Sequence, residues 1–211
     1  QKIIDGAKQV VENYKPTFKI DPEWGKIKLE DICTIQSGGT PSKQKKEYWE
    51  NGNIPWVGST VCKDCFVNKT EKYITEEGLD NSSAKRFKAR TTLIALVGAT
   101  IGKTGFLTFE STTNQNIVGI YPKDDEKILP EYIFYVSHTL YQKFINLASG
   151  KFRMANLSFV RKLKIPLPPI KIQQQIVAQI EGEQKAIDAN KELITIFENK
   201  IKDKIADVWG K

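Results

Sequence analysis

The sequence predicts an α+β protein, a globular domain of mixed short strands and helices followed by a long coiled-coil-forming helix. Three observations carry that reading. Ile180, Ile187, Ile194, Ile201 and Val208 recur at intervals of seven, the period of a helical seam that packs on another helix. Residues 26–169 mix short β-branched and aromatic runs with helical patterns. With 40% hydrophobic and 27% charged residues in 211, composition is that of a folded globular chain.

The elements follow in order. Ile3, Ile4, Ala7, Val10, Val11 and Tyr14 fall on one helical face, so residues 1–14 read as helix. Residues 1–11 also repeat residues 184–194. Gln1, Lys2, Ile4, Asp5 and Lys8 match Gln184, Lys185, Ile187, Asp188 and Lys191. The offset of 183 is too long for a solenoid and fits a duplicated unit of one domain plus one long helix. The first residue is Gln, so the chain is expected to be a fragment or a processed product that begins inside the helix of a preceding unit.

Residues 15–25, with Pro16, Pro22 and Gly25, read as an extended linker. Within the body, Ile54–Val57, Thr92–Val97, Gly102–Phe109 and Ile117–Tyr121 read as strands, and Leu29–Ile35 and Pro130–Leu147 as helices. The domain is therefore expected over 26–169. Pro166, Pro168 and Pro169 stop any earlier helix. A rod is then expected within 170–209, from about Lys171 to Val208, closed by Gly210. A second seam (Ile176, Glu183, Asn190, Phe197, Lys204) is mixed, and Asn190 on it would fix register.

Several function classes are weakened at once. No apolar run approaches the roughly 18 residues of a membrane span. Three cysteines and no signal peptide point to a reducing cytoplasm. Gly98-Ala-Thr-Ile-Gly102-Lys103 has three residues between its glycines where a phosphate loop needs four, and strand follows it. It reads as a tight turn. Cys62-Lys-Asp-Cys65 lacks the further ligands a zinc site wants. His138, the single histidine, falls inside a helical pattern and reads as structural. No amino-methyltransferase signature is visible, so neither a catalytic set nor a cofactor is expected.

Charge points elsewhere. Residues 1–25 hold four Lys and four acids, and residues 170–211 hold seven of each. The whole +7 excess lies between them, which marks the body as a polyanion-binding domain. Lys43, Lys45 and Lys46 follow Gly38-Gly-Thr-Pro41, while Lys85, Arg86, Lys88 and Arg90 form a run without an acid. Lys151, Arg153, Arg161, Lys162 and Lys164 form another. Each alone reads better as a solvated face. Together they are candidate DNA contacts, with Lys43, Lys45, Lys46, Lys85, Arg86, Lys88, Lys151 and Arg153 expected on one face. Lysines are expected on phosphates, and Arg86 and Arg153 on guanine edges. Ser42, Ser59 and Thr60 are expected to add base-edge hydrogen bonds.

Six pieces in this order carry a resemblance. They are Lys28-Leu-Glu-Asp-Ile32, Gly38-Gly-Thr-Pro41, Ile54-Pro-Trp56, Gly98-Ala-Thr-Ile-Gly-Lys103, Thr113-Asn-Gln-Asn116, and Ile165-Pro-Leu-Pro-Pro169 with Gln173-Gln-Gln-Ile176. Together they resemble the target recognition domain of type I restriction–modification DNA specificity subunits, over nearly the whole chain. The resemblance implies a non-catalytic subunit with two such domains. Each domain is followed by a conserved helix, and the helices pack antiparallel as a spacer, so that the subunit reads a bipartite site in double-stranded DNA. It implies docking to methyltransferase subunits, which use S-adenosylmethionine, and to a restriction subunit. This chain resembles the second half: the end of the central helix, a recognition domain and the distal helix. Pairing of two copies through Ile180, Ile187, Asn190, Ile194, Ile201 and Val208 stays open. So does a specificity module within a fused methyltransferase–nuclease polypeptide. A plain coiled-coil interaction protein with an incidentally basic domain is a third reading.

Overall fold

A computed structural model describes residues 2–149 and 154–209, without the side chains of residues 2–4 and 209. In chain order the elements are α1 (Lys2–Asn13), β1 (Lys26–Lys28), α2 (Leu29–Ile32), β2 (Cys33–Ser37), β3 (Ile54–Val57), β4 (Cys65–Val67) and β5 (Lys72–Ile74). Then come α3 (Glu76–Asp80), β6 (Arg86–Phe87), β7 (Thr92–Ala95), β8 (Thr104–Leu107), β9 (Ser111–Thr113) and β10 (Ile117–Pro122). The chain closes with α4 (Pro130–Ser137), α5 (Tyr141–Ala148), α6 (Leu157–Lys162), β11 (Lys164–Pro166) and α7 (Ile170–Trp209). Two compact units result, residues 20–174 and the two terminal segments 1–19 and 175–211. Among the described residues no helix is long and apolar enough to cross a membrane.

The α+β domain is built on a five-stranded sheet, ordered β2-β10-β7-β8-β4, and a four-stranded sheet, ordered β5-β3-β9-β6. A two-stranded sheet, β1 with β11, closes its base. Leu93, Ile94, Ile117, Val118 and Ile120 on β7 and β10 are fully buried. Their strands are covered on both faces and so read as apolar runs without alternation. Pro130 opens α4 at a position where a missing N–H costs nothing.

Two expected helices differ from the outcome. Leu29–Ile35 is one helical turn, after which Cys33-Thr-Ile-Gln-Ser37 pairs antiparallel with β10. Cys33 and Ile35 face the core and Thr34 faces out, so a period of two overrode a helical start. Pro130–Leu147 is two helices separated by a 3-10 turn at His138–Leu140. The expected turn at Gly98 and Gly102 joins β7 to β8, and both glycines take positive φ, +73° and +75°.

α7 spans 40 residues, about 60 Å at 1.5 Å each. Its first turn is locked by Gln173, which is fully buried. Its Nε2 donates to the Lys127 and Pro168 carbonyls, and its Oε1 accepts from the Leu129 N–H. A buried side-chain amide with its partners met explains why Gln stands there. In the terminal unit, Lys8 pairs with Glu198, and the Tyr14 hydroxyl donates to Glu183 at 2.8 Å. Rising numbers on one segment meet falling numbers on the other, so α1 and α7 run antiparallel. Along the stripe, Ile180 is buried, Ile187 and Ile194 are half-buried, and Ile201 and Val208 are exposed. Asn190 is exposed, and its amide donates to Ala186 O of its own helix.

Candidate nucleic-acid interface

Motifs far apart in sequence converge on one hub in the domain. The Gly39 N–H donates to Thr113 O, and Gly39 O accepts from the Trp56 indole at 3.1 Å. The Thr40 hydroxyl donates to Gln115, and the Asn114 N–H to Val57 O. Space decides the two glycines. A Cβ at Gly38 would lie 2.0 Å from Thr113 Oγ1, and one at Gly39 would lie 2.3 Å from the Ser83 backbone. Only residues without a side chain let residues 38–41 thread between β9 and residues 83–84.

Trp56 is the wall built on that hub. It is 5% exposed, meets Trp49 edge-on at 5.3 Å between ring centroids, and carries the Lys72 ammonium 5.8 Å from its ring centre. Two concavities share Trp56, Glu71 and Lys72. The larger, about 830 Å³, is lined by Ser59, Thr60, Lys63, Asn68, Lys69, Thr70 and Asn114 among others. The smaller, about 500 Å³, adds Lys43, Lys46 and Tyr73. They form one groove along the β5 edge.

The anticipated contacts divide. Lys43, Lys46, Ser59 and Thr60 come together on this groove through Lys72 and Trp56. Ser42 is exposed beside it, and its carbonyl accepts from the Trp49 indole. Lys45 donates to the Tyr48 hydroxyl and lies over that ring, a bond that holds its ammonium above the usual pKa. Arg86 and Lys88 line a separate concavity of about 530 Å³ with Tyr121 and Lys123. Lys88 lies over the Tyr121 ring, and Lys85 is exposed.

The arginines are engaged. Arg86 bonds Glu76 at 2.6 Å and Glu110 at 3.1 Å. Arg90, at φ +67°, makes a two-pronged contact with Glu131 at 2.7 Å. These carboxylates raise both guanidinium pKa values. A guanine would have to displace the glutamates before Arg86 could read it. Lys151 and Arg153 lie outside the described residues.

Sequence reasoning missed Lys63, Lys69 and Lys72. Asp64 and Glu71 interrupt their run, so it forms no acid-free cluster. In space Asp64 is occupied: Lys103 Nζ lies 2.6 Å from one oxygen, and the Thr104 N–H and hydroxyl bond the other. Burial alone would raise the Asp64 pKa, but Lys103 and Thr104 outweigh it and hold the carboxyl below its usual value. The Asn and Thr residues beside these lysines were the usable signal.

Cys62 is buried, which pushes its thiol up to about 12, while Cys65 is exposed. Among the described residues no group of three His, Cys, Asp or Glu could hold a metal. His138 packs edge-on against Phe134 at 4.8 Å, and burial lowers its pKa against the pull of Asp64.

Comparison with known proteins gives consistent likenesses. Residues 22–199 match the family model described as the type I restriction modification DNA specificity domain. The chain is 30% identical over 194 residues to the type I restriction enzyme MjaIX specificity subunit of Methanocaldococcus jannaschii, covering 89% of this chain and 43% of that one. It is 33% identical over 155 residues to the EcoR124I/EcoR124II specificity subunit of Escherichia coli, covering 71% and 38%. The chain therefore spans about four-tenths of these relatives. Among solved structures, the HsdS subunit from Thermoanaerobacter tengcongensis aligns with a TM-score of 0.66 at 16% identity, over 98% of this chain and 51% of that one. A chain of a type I R-M system studied for complex assembly aligns with a TM-score of 0.68 at 19% identity, over 96% and 50%.

Proposed function

The chain belongs to the type I restriction–modification DNA specificity family, and from that premise we propose that it is a non-catalytic DNA-reading component of such a system. It reads one half of a bipartite site in duplex DNA. The observation that carries this reading is the groove at the β5 edge, where Lys63, Lys69 and Lys72 alternate with Ser59, Thr60, Asn68 and Asn114. Lysines held around hydroxyl and amide groups match the two tasks of a reader. Ammonium groups neutralise phosphates and fix register, while short polar side chains test base edges. Asn114 is anchored through its own backbone N–H to Val57 O, and its Oδ1 accepts from the Asn116 N–H. The amide so held keeps its NH2 group to donate to an acceptor on a base edge.

The antiparallel helical unit is the docking platform for methyltransferase and restriction subunits, and the exposed end of its apolar stripe, at Ile201 and Val208, is the surface that meets another helix, a second copy of this chain among the candidates. The site of action is the cytoplasm, where the DNA is. The relatives are specificity subunits, which favours a separate subunit over a module of a fused methyltransferase–nuclease polypeptide.

Mapping methylated bases in cells with and without the intact gene tests the reading. A bipartite methylated motif that disappears with the gene is expected, and an unchanged methylome overturns it. The purified chain is expected to transfer no methyl group to DNA, and transfer would overturn the non-catalytic assignment.

A further inference from the structure

A second basic surface lies at the base of the domain. A cleft of about 490 Å³ is lined by Lys26, Lys143, Lys162 and Lys164, with Thr139 and apolar residues between them and no carboxylate. Among the described residues none of these four lysines makes an ion pair. The cleft shares no lining residue with the Trp56 groove.

The backbone arranges this concentration. β1 and β11 pair antiparallel, with Lys26 opposite Pro166, Ile27 opposite Ile165 and Lys28 opposite Lys164. Ile165 is fully buried, so the alternation of a strand puts Lys26, Lys28 and Lys164 together on the other face. α5 adds Lys143 and α6 adds Lys162. Like charges directly opposite on a ladder destabilise it. Lys28 is only partly relieved, by Glu30 at 3.6 Å. The lining of the cleft supplies no counter-charge, so an anion from outside fits this place.

We propose that this cleft is a second, sequence-independent contact to the DNA phosphate backbone. The proposal rests on the DNA-reading function above and assigns that function a second foothold. An acidic protein segment is the other anion of suitable size, and the lining argues against it. Leu140, Leu163 and Pro166 are buried and Ile20 is only partly exposed, so the cleft offers little apolar surface to anchor a protein. Lysine is also depleted where proteins meet. Ammonium groups without arginine forks suit single phosphate oxygens, which need charge more than geometry.

The test is a salt titration of the full chain on a fluorescent duplex of random sequence. For the wild type the logarithm of affinity is expected to fall linearly with that of salt. Lys143→Ala with Lys162→Ala is expected to make the slope shallower by about two, at about one for each phosphate no longer neutralised. Lys143→Arg with Lys162→Arg keeps the charge and is expected to keep the slope. An unchanged thermal melt for both variants shows that the fold is intact. An unchanged slope in the alanine variant, with Lys72→Ala still lowering it, overturns the cleft and leaves the groove reading standing. A lowered slope here with no effect of Lys72→Ala supports the cleft and overturns the groove. No wild-type binding at low salt overturns both. Unchanged DNA binding together with failure to co-purify the modification subunits overturns the cleft in favour of an acidic protein partner.

Discussion

The two edges of the four-stranded sheet carry the same kind of charge and put it to different use. Lys72 on β5, Trp56 on β3, Thr112 on β9 and Arg86 on β6 stand in one row across the strands. The edges are separated by three strand spacings, ~14 Å. At one edge Lys72 lies over an indole and faces a groove. At the other, Arg86 is held by two glutamates. Counting acids along the sequence orders these edges opposite to their ion pairs in space. The Lys85–Arg90 window holds no acid, yet Glu76 and Glu110 arrive from 10 and 24 positions away. The Lys63–Lys72 window holds two acids, and one of them, Asp64, is taken by Lys103. A cation is available only when its three-dimensional neighbours leave it so.

Removing the wall that both the hub and the groove share should have the largest effect. Trp56→Ala is expected to cost about 3–5 kcal/mol, read by chemical denaturation. Trp56→Phe keeps an aromatic ring but loses the bond to Gly39 O and the pyrrole half of the indole, and is expected to cost about 1–3 kcal/mol. A loss below about 1 kcal/mol for the alanine variant would show that the row is not organised around the indole.

Asp64 comes next. Its folded pKa lies below the unfolded one, so its stabilising contribution is complete above the ordinary carboxylate range. That contribution is lost as pH falls through the depressed value. Asp64→Asn is expected to be less stable at neutral pH and to lose part of the acid sensitivity. Identical acid unfolding curves would mean that Lys103 does not hold Asp64 and that its carboxylate still offsets the Lys63–Lys72 window.

Lys72→Ala has a smaller and cleaner effect. Binding to all duplexes is expected to weaken alike, with the salt slope reduced by about one. Arg86→Ala is expected to do least. Both ion pairs are exposed, so the stability change should stay below about 1 kcal/mol, and the salt slope should not move. A slope reduced as much by Arg86→Ala as by Lys72→Ala would erase the distinction between the edges.

What could be read in the sequence follows from what is local. The long helix, its proline stop and the Gly98–Gly102 turn are set by residues next to one another, and they stand in the structure as expected. Apart from β2, whose start continues a helical pattern, the strands missed are short. β1, β4, β5, β6, β9 and β11 have two or three residues each, too few to show a period. They exist because partners from elsewhere complete them, as Ser111 and Thr112 do by donating to Pro55 O. The groove was half legible. Lys43, Lys46, Ser59 and Thr60 line it, while Lys63, Lys69 and Lys72 were hidden by Asp64, whose pairing with Lys103 no linear window reveals, and by Glu71, which lines the groove with them.

The ladder between β1 and β11 has a meaning of its own. Three residue pairs join Lys26–Lys28 to Lys164–Pro166, so everything from Leu29 to Leu163 is a loop on a short stem. Closing so long a loop costs little more entropy than closing one half its size. The chain enters and leaves this domain on neighbouring strands. Three backbone pairs thus set where residues 29–163 begin and end, and Gln173 ties that segment to the start of α7 through Lys127 and Leu129.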